Sequence, residues 1–111
     1  MKLPRITISG ARGIVGDDLT VESAVRLSRA FGRLLGKGTV VIGRDARPSG
    51  QMIEAAVASG LMAEGCDVVR LGLVPTPTVG IMVRELGARG AINVTASHNP
   101  VKWNALKLYN E

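Results

Sequence analysis

The sequence predicts an α/β domain, a three-layer α/β/α sandwich around a mostly parallel sheet. Three observations carry this expectation. Short apolar runs alternate with longer amphipathic segments in the order β-α-β-α-β-α-β. The run Thr39-Val40-Val41-Ile42-Gly43 is apolar without alternation, as in a strand covered on both faces. The longer segments repeat their apolar residues at helical spacing, as Ala24, Leu27, Phe31, Leu34 and Leu35 do.

Taken in order, Arg5 to Ser9 reads as a first strand and Gly10 to Asp18 as a glycine-rich loop. Thr20 is a good N-cap for the first helix, and Glu22 complements that helix's N-terminal dipole. Gly36 and Gly38 stop it. After the strand at Thr39 a polar loop runs from Arg44 to Ser49. Ser49 is placed to cap a second helix with the apolar face Met52, Ile53, Ala56, Val57, Gly60 and Leu61, ended by Gly65. Asp67 to Leu71 is a third strand, and Pro77 suits the first helical position after Thr76. The third helix stops at Gly87. Gly90 to Val94 is a fourth strand, and Ala105 to Leu108 a short returning one. No closing helix follows, so the domain is expected to be truncated at its C-terminal end and to expose apolar surface that promotes self-association.

Composition bounds the function. The chain has 111 residues, 46% hydrophobic and 21% charged, enough apolar material for a core. A net charge of +5 raises attraction to anions in general and specifies none. Cys66 is the only cysteine, which excludes an internal disulfide and fits a reducing, cytoplasmic compartment. No run approaches the roughly 20 apolar residues of a membrane span, and no signal peptide is expected.

In a parallel α/β sheet, ligands sit beyond the carboxyl ends of the strands. Three polar loops are expected there: Gly10–Asp18, Arg44–Ser49 and Thr95–Trp103. Thr95-Ala96-Ser97-His98-Asn99-Pro100 is the most informative. Its hydroxyl and amide side chains suit binding or carrying a phosphate, and they equally suit an ordinary Asn-Pro turn. Acyl transfer by Ser97 and His98 is disfavoured, because neighbouring side chains in extended backbone point apart. Gly10, Gly13 and Gly16 lack the spacing of a dinucleotide loop. Asp45 can pair with Arg44 or Arg47 to hold its loop, or leave both arginines for an anion. Arg26, Arg29, Arg33 and Lys37 share a helix face best read as solvated, with too few aromatics for nucleic-acid binding. One Cys and one His make no zinc site.

Thr95-Ala96-Ser97-His98-Asn99-Pro100, followed by Asn104 and Lys107, closely resembles the active-site serine loop of the α-D-phosphohexomutases. Ser9-Gly10-Ala11-Arg12-Gly13, Gly43-Arg44-Asp45-x-Arg47-x-Ser49-Gly50 and Val74-Pro75-Thr76-Pro77 are similar to further signatures of that family, in the same order. The resemblance spans residues 1–111 and implies the first of the family's four domains, incomplete, with the other three absent. It implies that Ser97 carries phosphate as a phosphoserine and that Lys107 is the general acid/base. Arg12 and His98 would orient phosphoserine or sugar, and Asn99, Thr95 and Arg44 would orient substrate or phosphate, Asn99 by shaping the loop. A lysine in such a role needs its pKa lowered by burial or a nearby cation. Phosphoryl passes to a hexose phosphate through a bisphosphorylated sugar, with Mg²⁺ bound at the Ser97 phosphate by ligands from an absent domain. The sequence departs from the family at Ala105, where many members have glycine. The isolated chain is expected to be inactive, and no nucleic-acid or membrane partner is implied. The alternative is a non-catalytic module that uses the same loops for anion binding or self-association.

Overall fold

The structure is a computed structural model that describes residues 4–7, 10–95 and 103–110. Its elements are β1 (Arg5–Thr7), β2 (Gly10–Ile14), α1 (Val21–Leu35), β3 (Thr39–Arg44), α2 (Gly50–Ala63), β4 (Asp67–Leu73), α3 (Thr76–Leu86), β5 (Gly90–Val94) and β6 (Trp103–Asn110). Six strands form one sheet in the order β1-β2-β6-β5-β3-β4.

The sheet is mixed, so the expectation of a mostly parallel one holds only in part. β5, β3 and β4 run parallel, whereas β6 lies antiparallel to both β5 and β2, and β2 antiparallel to β1. The reason is connection length. A parallel return needs a crossover of about a dozen residues or more. The helical connections from β3 to β4 and from β4 to β5 supply one, and the short segments before β2 and β6 do not. A further difference is that β2 occupies the start of the expected glycine-rich loop. β6 is also longer than the short strand expected.

The core lies on both faces of β3 and β5. Val40, Ile42, Ile92, Val94 and Leu106 pack with Phe31 of α1 and with Ile53, Val57 and Leu61 of α2. Val41 and Ala91 face the other way and pack with Val79 of α3. Val40, Val41 and Ile42 are all fully buried, as their unbroken apolar run requires. Each such side chain contributes roughly 1.5–3 kcal/mol of transfer free energy. The two helical layers thus hold β3 and β5 in place, and with them the loops at their carboxyl ends.

Local signals explain most helix ends. Thr20 caps α1 reciprocally: its hydroxyl accepts from the Ser23 N–H at 3.1 Å, and the Ser23 hydroxyl accepts from the Thr20 N–H at 2.8 Å. Gly36 closes α1, and Gly87 closes α3 in the left-handed conformation. α2 ends at Ala63, one turn residue before the expected Gly65, with Glu64 as its C-cap. α3 starts one residue earlier than expected, with Pro75 as its N-cap. Arg29 and Arg33 do not simply face water, because both donate to Glu64 at the end of α2, at 2.7 and 3.0 Å. These bonds, Arg29 first and Arg33 second, hold the Glu64 carboxyl below its ordinary pKa. No helix among the described residues is long and apolar enough to cross a membrane.

Candidate active site

The site begins at the edge of the sheet where β3 and β5 end. β6 starts at this edge because it runs antiparallel to β5, and β2 ends there because it runs antiparallel to β6. Four sequence segments therefore converge on one rim.

Arg12 lies on β2 opposite Ala105 of β6, and its side chain is exposed. Lys107 lies two residues further along β6, half-buried, with Gly10 of β2 on one side and Asn93 of β5 on the other. Residues opposite one another, and residues two apart along a strand, share a face of the sheet. Arg12 and Lys107 are thus on the same face as Asn93, the face that carries α3. The Asn93 amide donates to the Thr76 hydroxyl at 3.1 Å and ties the start of α3 to β5.

The glycines around Arg12 have a packing reason. A Cβ on Gly10 would sit 1.9 Å from the Leu106 carbonyl oxygen, and its φ of +133° disfavours any other residue. A Cβ on Gly13 would sit 2.3 Å from Asp18 Oδ1, the oxygen that accepts the Ile14 N–H at 2.7 Å. The glycine pattern serves strand pairing and a tight turn after β2, with no resemblance to a cofactor loop.

Arg44 goes to the other face. Its Nε lies 3.5 Å from Glu54 Oε1 of α2, and Arg70 of β4 donates to Glu54 Oε2 through Nε at 2.8 Å. Glu54 is only 4% exposed, so this carboxylate is neutralised from two strands inside the fold. The structure thus separates Arg44 from Arg12 and Lys107. Asp45 pairs with Arg47, accepting its backbone N–H at 3.1 Å and its Nε–H at 3.2 Å, which is the loop-holding arrangement among those considered.

Asp45 does more than hold its own loop. Its Oδ2 also accepts the Thr95 hydroxyl at 2.7 Å. Ser49 stands at the N-cap of α2 but its side chain caps nothing there; the hydroxyl accepts from the Asn104 amide at 2.9 Å. Neither contact has a local sequence signal, since the partners are 50 and 55 residues apart. Ser97, His98 and Asn99 lie outside the described residues. Thr95 and Asn104, which flank their segment, are both buried. Among the described residues no group of three His, Cys, Asp or Glu side chains is gathered that could hold a metal ion. The family resemblance places Mg²⁺ on the Ser97 phosphate and on ligands from another domain, and neither lies among the described residues.

The fold is an α/β/α domain, and its candidate site lies at the carboxyl ends of the parallel strands. The chain belongs to the phosphoglucomutase/phosphomannomutase family: the family's model for α/β/α domain I matches residues 6–111. It is 43% identical over 106 residues to a phosphoglucosamine mutase of Clostridioides difficile, covering 92% of this chain and 24% of that one. A Methanopyrus kandleri protein assigned as a phosphoglucosamine mutase is 50% identical over 102 residues, covering 92% of this chain and 23% of its own. The crystal structure of a Thermus thermophilus protein assigned as a phosphomannomutase superposes with a TM-score of 0.90 at 36% identity. That match covers 99% of this chain and 26% of the Thermus chain. The chain spans about a quarter of the length of the curated relatives it matches.

Proposed function

We propose that this domain carries the phosphoserine of an enzyme that interconverts hexose 1- and 6-phosphates. The observation that carries the reading is the convergence of Arg12 and Lys107 on one face of β2 and β6, at the rim where the Ser97 segment begins and ends. These are the residue types that phosphoryl transfer needs, a cation to neutralise charge and an amine to move a proton.

In this reading the free hydroxyl of a hexose phosphate attacks the phosphorus on Ser97. The P–Oγ bond breaks, a bond from phosphorus to the sugar oxygen forms, and the hydroxyl proton passes by way of Lys107 to Ser97 Oγ. The bisphosphorylated sugar turns over, and Ser97 Oγ attacks its other phosphate; the bond from that phosphorus to the sugar oxygen breaks, and the serine proton returns by way of Lys107 to that oxygen. That step restores the phosphoserine and releases the isomeric monophosphate. Arg12 and His98 orient the phosphate. Magnesium, when bound, would supply further charge neutralisation at the phosphoserine. Substrate selection and the remaining metal ligands fall to parts of the enzyme beyond this domain. The buried, unpaired Cys66 is compatible with a reducing compartment such as the cytoplasm.

The relatives' name makes glucosamine phosphate the first hexose phosphate to assay. In the full-length enzyme Ser97→Ala is expected to abolish turnover, and intact-mass analysis of the native protein is expected to find one phosphate on Ser97. Unimpaired turnover by the alanine variant would refute the proposal. The 111-residue chain alone is expected to be inactive on the same substrate.

A further inference from the structure

The geometry points to Asp45 and Ser49 as positioning residues that clamp both ends of the segment bearing Ser97. This inference deepens the proposed phosphoserine reading and rests on it.

The segment leaves β5 at Thr95 and rejoins the sheet at Asn104. The Thr95 hydroxyl donates to Asp45 Oδ2 at 2.7 Å, and the Asn104 amide donates to the Ser49 hydroxyl at 2.9 Å. Both receiving side chains belong to one short loop, between β3 and α2. The backbone adds two further ties at the same place: Asp45 N–H to the Val94 carbonyl at 3.1 Å, and Thr95 N–H to the Ala105 carbonyl at 3.0 Å.

One partner in each bond is itself oriented. Asp45 is held by the Arg47 N–H and guanidinium, which orient the carboxylate that Thr95 meets. Asn104 is held by its own Oδ1, which accepts the Ala105 N–H at 2.9 Å. Thr95 is 4% exposed and Asn104 fully buried, so the donor of each side-chain bond is shielded from water, whereas the acceptors Asp45 and Ser49 are half-buried. A charged acceptor for a hydroxyl makes a bond stronger than a neutral pair.

A loop needs no such pair of side-chain bonds to distant, part-buried partners merely to turn the chain round. Phosphoryl transfer does need a donor held to a fraction of an ångström, because its catalysis is largely positioning and charge placement. The clamp sits on the loop that leaves β3, the central parallel strand, so it ties Thr95 and Asn104 to the core. It places the two residues in a role distinct from substrate contact. They act on the reaction through Thr95 and Asn104.

The test uses the full-length enzyme with glucosamine 1-phosphate. Single-turnover loss of phosphate from Ser97-phosphorylated protein is followed by intact mass, alongside steady-state kcat and KM and the melting temperature. Asp45→Ala and Ser49→Ala are each expected to slow phosphate transfer by ~10–100-fold with KM within about twofold, the range a misplacement of about 1 Å produces. Asp45→Asn and Ser49→Thr, which keep an acceptor oxygen, are expected to recover most of that loss. Adding Thr95→Val to Asp45→Ala is expected to cost less than the sum of the two single effects, because the two changes share one bond. Should Asp45→Ala fail to fold, Ser49→Ala and the Asn and Thr variants still decide the matter. Transfer rates within about twofold of wild type in folded alanine variants would overturn the clamp, and so would a lowered melting temperature with an unchanged rate. Ser97→Ala separates the two failures: an inactive Ser97→Ala beside unaffected clamp variants sinks the clamp alone, whereas an active Ser97→Ala sinks the phosphoserine reading and the clamp with it.

Discussion

Two glycines inside helices should respond to the same substitution with opposite signs. Gly60 lies in α2 where it meets α1, and Gly80 lies on the exposed side of α3. In either helix, alanine is favoured over glycine by about 0.8–1.0 kcal/mol of intrinsic propensity. At Gly80 a new Cβ meets nothing within 4 Å, so Gly80→Ala should stabilise by roughly that full amount. At Gly60 the new Cβ would sit 1.9 Å from Ser28 Oγ and 2.8 Å from the Val25 carbonyl oxygen. The Ser28 hydroxyl is fully buried and already donates to that same Val25 carbonyl at 3.0 Å. Swinging it aside loses a buried hydrogen bond, about 1 kcal/mol. The carbonyl is backbone, so the helices must also part by roughly half an ångström, an overpacking cost of about 1–3 kcal/mol. After the propensity gain the net expectation for Gly60→Ala is a loss of about 2 kcal/mol.

Urea denaturation of the 111-residue chain, followed by far-UV circular dichroism, measures both. The two variants should lie about 3 kcal/mol apart, with melting temperatures displaced in opposite directions. Ser28→Ala in the Gly60→Ala background should recover part of the loss, because it removes the nearer clash and leaves the carbonyl. Equal stabilisation by both alanines would refute the close approach of α1 and α2 at this point, and with it the account of why the glycine is there.

Two further outcomes follow from single contacts. Thr20→Ala removes one half of the reciprocal cap of α1 and should destabilise by about 1 kcal/mol in the same urea assay; no change would mean that the cap bonds are not formed in solution. Glu64 has its folded pKa depressed by Arg29 and Arg33, so its contribution is present above the unfolded value of 4.5 and is lost as pH falls through the lower folded one. The urea midpoint of wild type should therefore exceed that of Glu64→Gln near neutral pH, and the gap should close on acidification and in high salt. A gap that widens as pH falls would contradict the sign.

Much of this fold was legible because its signals are local. The Val40–Ile42 run requires burial on both faces, and both faces are covered. Thr20, Gly36 and Gly87 mark helix ends by chemistry confined to a few residues. Lys107 stood out as a candidate only through family resemblance, since a half-buried lysine carries no signal of its own, whereas Arg12 also stands in a glycine-rich segment that would let it reach an anion. Contacts made across the sheet were hidden. Ser49 has the residue type and position of a helix cap, yet its hydroxyl is taken by Asn104 from the far side of the site. Glu54 reads as one more acidic residue in a helix, and nothing near it in sequence reports that Arg44 and Arg70 close over it. The glycines of β2 were legible as special positions, but their purpose depends on Leu106 and Asp18, which only the register supplies.

Register also connects the mixed sheet to the chemistry. Because β6 returns antiparallel between β5 and β2, Lys107 stands opposite both Asn93 and Gly10, and Arg12 falls opposite Ala105. Side chains alternate along a strand, so sliding β6 by one residue would turn Lys107 into the α1–α2 core and bring Leu106 out to the rim. Leu106 is fully buried and packs in that core, so such a slip would cost its burial as well as bury an ammonium group. The apolar packing on one face of β6 therefore fixes which face its lysine presents on the other. Gly10 enforces the same choice from β2, since its missing Cβ is what lets the Leu106 carbonyl approach. Placement of the proposed proton carrier is thus a consequence of core packing: the leucine and the glycine that set the register determine where the lysine acts.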